Sequence, residues 1–138
     1  MSTVVLRVSG EQLDLDACLA LIPTGMLEAT WRVGERVSRT RVCTTNGFNL
    51  LLADESTASK AVETAAKVFS AIESQIRLFA DAGGTAVMDF ALYVKCVCPQ
   101  SITFPCDLLR AVADLGVELE VSAYPCSSEE QECEDDET

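Results

Sequence analysis

Seven cysteines, two carboxylates at Asp14 and Asp16, and four arginines crowded into ten positions are the residues whose types and spacing bear on chemistry in this chain. Thiolates bind soft metals and act as nucleophiles, so the cysteines come first. Cys96, Cys98, Cys106 and Cys126 fall within one region, but without the Cys-x-x-Cys pairs from which a zinc site is built. They are read as packed thiols, with no metal. Cys106 follows Pro105 at an expected helix start, where the helix dipole lowers a thiol pKa. The negative charge of the chain opposes that effect. The chain also has no histidine, which excludes Ser-His and Cys-His catalysis and histidine-ligated zinc. Asp14 and Asp16 are placed to do acid–base work, yet a capped, charged helix start accounts for them more simply. Asp135 and Asp136 lie in a segment without the glycine turn of a calcium loop. The expectation is a non-enzymatic chain with no catalytic residue, no metal and no cofactor.

Arg32, Arg36, Arg39 and Arg41, close to Trp31, resemble a basic loop beside an aromatic, a combination that suits nucleic acid. The overall charge argues against it. With 22 acidic and 10 basic residues the net charge is −12, and setting aside the seven carboxylates of residues 127–138 still leaves −5. Phosphate is repelled by such a surface, whereas a basic protein is attracted to it. Trp31 is expected in the core.

Those residues must be positioned by the elements around them, and the longest is read over residues 57–82. Ala58, Val62, Ala65, Phe69, Ile72, Ile76 and Phe79 recur every three or four residues, which predicts one central helix with a single apolar stripe. Asp54, Ser56 or Thr57 caps its start, and Gly83-Gly84 supplies its exit. Alternating segments flank it: TVVLRVS at the start, LEATWRV with Trp31 turned inward, a long strand over 85–98 whose apolar face continues into Cys96 and Cys98, and VELEVSAY at the end. Asn46-Gly47 predicts a hairpin turn between two strands. A short helix carries Leu15, Cys18, Leu19 and Ile22, a short extended piece spans 102–104, and a further helix after Pro105 carries Leu108, Leu109, Val112 and Leu115.

The order predicts an α+β domain over residues 1–126, with a mostly antiparallel sheet covered by one long and two shorter helices; a ferredoxin-like arrangement is one form this order allows. Residues 127–138, SSEEQECEDDET, read as a solvated acidic tail. No run is long and apolar enough to span a bilayer, and the first residues lack a secretory pattern. With an odd cysteine count, this predicts free thiols and a cytoplasmic location.

Ser9-Gly10, Leu13-Asp14, Pro23, and Leu115-Gly116 with Leu119 and Tyr124 resemble the bacterial family catalogued as domain of unknown function number 4279. The resemblance covers nearly the whole chain outside the tail and the segment 35–45. It implies a small α/β bacterial protein without an established enzymatic activity, suited to an immunity or interaction role, and it transfers no catalytic residue. Together with the charge it leads to one functional expectation: an acidic binding protein that occludes a basic toxin or another protein acting on nucleic acid. A general scaffold domain is the alternative. Exposed acids on outward strand faces, Glu28, Glu118 and Glu120, are the expected partner-binding residues.

Overall fold

The computed structural model describes residues 2–94 and 101–125. Along the chain run β1 (Ser2–Gly10), α1 (Leu15–Leu19), β2 (Leu27–Trp31), β3 (Asn46–Glu55), α2 (Ala58–Ala71), α3 (Glu73–Asp81), β4 (Thr85–Val94), α4 (Cys106–Asp114) and β5 (Glu118–Pro125). The fold is α+β, with five strands in the order β2-β3-β1-β4-β5. Three of the four pairings are antiparallel and β4–β5 is parallel. A parallel pair needs a crossover, and α4 lies between its two strands in sequence.

Strict alternation places Val4, Leu6 and Val8 of β1 wholly out of solvent, while Val5, Arg7 and Ser9 remain half-buried on the other face. In β3 the apolar run breaks the alternation, and Leu52 and Ala53 are both buried. The cause is an irregular register opposite Val4 and Val5, which inserts one residue so that two successive side chains turn inward. Helices cover the face of Val4, Leu6 and Val8. One cluster of buried side chains joins these residues, Phe48, Leu50, Met88 and Phe90 to Leu15 and Cys18 of α1, Phe69 of α2, Ile76 and Phe79 of α3, and Leu108 and Val112 of α4. The Phe48 and Phe79 rings meet edge to face at 5.0 Å, and Phe90 and Phe104 do so at 4.8 Å.

The expected apolar stripe lies inward: Val62, Ala65, Phe69, Ile72, Ile76 and Phe79 are all buried, while Ala58 at its start is half-buried. The single helix expected to carry it is instead two. Ile72, at φ −113° and ψ 18°, leaves helical geometry between α2 and α3, and its N–H is shared between the carbonyls of Val68 and Phe69. The Ile72 carbonyl still accepts the Ile76 N–H at 3.0 Å, so the stripe stays in phase across the break. Thr57 is the N-cap, its Oγ1 accepting the Lys60 N–H at 3.2 Å.

Asn46-Gly47 does not form a hairpin turn; both residues begin β3. The turn connecting β2 to β3 is the whole segment 32–45. Asn46 is used for its side chain, whose Oδ1 accepts the Val33 N–H at 2.9 Å and whose Nδ2 donates to the Leu13 carbonyl at 3.1 Å. Residues 102–104 form no strand, and β4 is described only to Val94, so the expected face at Cys96 and Cys98 lies outside the described residues. Among the described residues, no helix is long and apolar enough to cross a membrane.

Candidate interaction surface

The helices cover one side of the sheet, and among the described residues no helix lies on the other, which is the bare face. On that bare face the strand register brings together Arg7 of β1, Asp89 of β4, and Glu118, Glu120 and Ser122 of β5. Arg7 Nη2 lies 3.6 Å from Asp89 Oδ2 and 3.5 Å from Glu120 Oε1. Ser122 Oγ donates to Asp89 Oδ1 at 2.9 Å. One cation thus serves two carboxylates, and Glu118 forms no ion pair among the described residues. At these distances and exposures each pair contributes at most about 1 kcal/mol. Among the described residues the face is consequently acidic along its β4–β5 side. Beyond this group, Tyr93 and Tyr124 stack at 5.4 Å on the same face, both substantially exposed.

Glu118 and Glu120 are where the alternation of β5 put them, exposed and opposite Leu119. Glu28 is also exposed, but it belongs to β2 on the far edge, beside an irregular register between Leu27 and Ala29. The structure therefore brings two of the three expected acids together and separates the third by the width of the sheet. Asp89 and Arg7 are the members of the group that alternation alone does not reveal as neighbours. Each reads as the polar residue of its own strand, and only the pairing of β1, β4 and β5 joins them. Asn49 Oδ1 lies buried on this face without a hydrogen-bond partner among the described residues.

Trp31 is not a core residue. Its register partner Gly47 faces the bare side, and the indole lies across that glycine, where a β-carbon would overlap the ring. Its Nε1 donates to Thr45 Oγ1 at 3.2 Å. The sequence signal was present in the absent side chain of Gly47, though not in the alternation of β2.

Of the groups considered for chemistry, Asp14 and Asp16 make local polar contacts and Cys18 is packed in the core. Asp14 caps α1, its Oδ1 accepting the Ala17 N–H at 3.2 Å. Asp16 pairs with Arg32 at 2.7 Å. Cys18 is a fully buried free thiol, and its pKa is pushed above 9.0 by burial first and by the nearby Asp14 carboxylate second. Cys106 is exposed at the first turn of α4, and Cys43 is half-buried; both are free. Cys96, Cys98 and Cys126 lie outside the described residues, and no metal-binding group of acids and cysteines occurs among the described ones. A cleft of about 190 Å³ between α3, β4 and the end of α4 is lined by Ile76, Phe79, Leu115 and other residues without a titratable group. No family model, curated protein or solved structure matches the chain.

Proposed function

We propose that this chain is a non-enzymatic binding protein that engages a basic protein partner, most specifically as an immunity-type inhibitor that covers the working surface of a basic toxin. The observation that carries the reading is the bare sheet face, where exposed Glu118 and Glu120, with the mostly buried Asp89 beside them, outnumber Arg7 on adjacent strands. Carboxylates fixed on strands meet a cationic partner without being reordered first, and the net charge of −12 attracts such a partner from a distance. Glu28 belongs to a peripheral contact in this reading. The cytoplasm is the proposed location.

The ferredoxin-like assignment is part of the same proposal. It is supported by the order β2-β3-β1-β4 with antiparallel neighbours, the arrangement of two interleaved βαβ units, to which α4 and β5 add an edge. Membership of the domain of unknown function family number 4279 is likewise proposed, on structural positions. Leu13 is buried, Gly116 turns the chain after α4 at φ +70°, and Tyr124 stacks on Tyr93.

Recovery of a bound basic protein from the native cell, followed by assay of that protein's own activity with increasing amounts of this chain, tests the proposal. Stoichiometric loss of the partner's activity is expected. Binding without any loss of activity favours the scaffold alternative.

A further inference from the structure

Between β2 and β3 the chain forms a narrow ribbon. Gly34 N–H donates to the Cys43 carbonyl at 2.9 Å, Cys43 N–H to Glu35 at 2.8 Å, and Val37 N–H to Arg41 at 2.9 Å, with Arg36 and Val42 bridged antiparallel. Every residue from 32 to 42 is exposed, including Val33, Val37 and Val42, three of the most exposed large apolar side chains described. Of its four arginines only Arg32 has a carboxylate within ion-pair distance among the described residues; Arg36 donates to the Arg39 carbonyl at 3.1 Å instead. A strongly acidic chain thus presents three guanidinium groups, interleaved with valines, on an exposed ribbon tied to the body at its base by the Arg32–Asp16 pair and the Val33–Asn46 hydrogen bond.

We propose that this ribbon receives the acidic segment 127–138 of a second copy of the same chain. That segment carries seven carboxylates and no basic residue, the charge complement of Arg36, Arg39 and Arg41. Carboxylates match guanidinium groups in geometry as well as in sign. Reach decides between the chain's own segment and another copy's. The ribbon leaves the sheet at Trp31, in line with Gly47, Ser9 and Thr85, whereas β5 ends at Pro125 beside Val94, on the opposite edge and at the opposite end. Four strand spacings of about 4.8 Å and the length of β4 at about 3.3 Å per residue put those corners roughly 35 Å apart. At about 3.4 Å per residue, a fully extended chain covers that distance only after roughly ten residues. Within one chain, only Asp135, Asp136 and Glu137 lie far enough along to reach even the Trp31 corner, and Arg36, Arg39 and Arg41 lie beyond it in the ribbon. Between two copies the span across the sheet no longer limits which carboxylates meet the arginines, and reciprocal exchange gives two equivalent contacts, as a two-fold pair requires. This inference stands apart from the proposed function, which concerns the bare sheet face.

Sedimentation velocity on the full chain under reducing conditions tests it, with two full-length variants. One carries Arg36→Ala, Arg39→Ala and Arg41→Ala; the other replaces the seven carboxylates of residues 127–138 by their amides. A milder variant, Arg39→Ala with Arg41→Ala, keeps the Arg36 hydrogen bond within the ribbon and guards against a folding defect, which circular dichroism checks. The native chain is expected to pair with rising concentration and to dissociate between about 0.1 M and about 1 M salt, as the screening length falls from about 10 Å to about 3 Å. Each variant alone is expected to be monomeric, while a mixture of the arginine and amide variants restores one contact and sediments as a mixed pair. A native chain that stays monomeric, or an amide variant that pairs as well as the native chain, overturns the proposal. So does a mixture of the two variants that remains monomeric, or a ribbon that in the amide variant binds a single-stranded oligonucleotide but not the intact tail of the arginine variant.

Discussion

At the scale of single residues, the chain uses small differences in size and burial more than reactive groups. Gly47 has room for the Trp31 indole only because it lacks a β-carbon. Gly47→Ala is therefore expected to displace the ring and to cost about 1–3 kcal/mol, as other overpacked sites do. Trp31 is the chain's single tryptophan, so its emission during chemical unfolding reports the local displacement together with the loss of stability. Cys18 supplies the pH dependence. Its folded pKa is raised above the unfolded value, so the folded state retains the thiol proton over a range in which the unfolded chain has released it. The stabilisation is fully present below about pH 9 and is lost as pH rises through the folded pKa. Denaturant midpoints measured from pH 7 to pH 10.5 are expected to fall for the native chain and to fall less for Cys18→Ala. Alkylation followed by mass spectrometry is expected to modify exposed Cys106 well before Cys18.

At the scale of elements, the load falls on side chains that join helices to the sheet. Phe79 is buried and meets Phe48 edge to face, so Phe79→Ala is expected to cost about 3–5 kcal/mol in equilibrium unfolding. Leu109, on the outer side of α4 and 43% exposed, is the control; Leu109→Ala is expected within about 0.5 kcal/mol of the native chain. The alternation of β1 and the apolar stripe of α2 and α3 are legible in the sequence, because period two and period 3.6 follow directly from which side chains face the core; in β5 the alternation holds only through Glu120, since Val121 and Ala123, expected inward, are exposed on this edge strand. The break at Ile72 is not legible, since apolar spacing is the same on both sides of it and only the backbone departs from helical geometry. Asn46-Gly47 misled for a related reason: the dipeptide has two uses, a tight turn or a side-chain anchor beside a bare backbone, and tertiary contacts with Val33, Leu13 and Trp31 selected the second. Trp31 lies on the face opposite to the one its alternation predicts because its strand is an edge strand with an irregular register, where alternation no longer identifies the inside.

At the scale of the whole molecule, the sheet has two unlike edges. On β5, Glu118, Glu120 and Pro125 mark the edge with charges and a proline, devices that discourage a strand from adding to it. The same carboxylates extend onto the bare face, so edge protection and partner attraction use one set of residues. The acidic group was half-legible: β5 showed its two acids, but their union with Asp89 and Arg7 depends on strand order, which a single sequence does not carry. Glu118→Lys with Glu120→Lys leaves the buried cluster untouched and is expected to lower the melting temperature by no more than about 5 °C, since losing the Arg7–Glu120 pair costs at most about 1 kcal/mol. Its effect belongs to association. The most direct measurement is the association and dissociation rate of the native chain and this double variant with the basic protein recovered from the native cell, across a salt series. The expected result is an association rate that falls steeply with salt and falls again on charge reversal, with dissociation changing less. An association rate indifferent to both salt and charge reversal would contradict the proposal that the acidic sheet face recruits the partner.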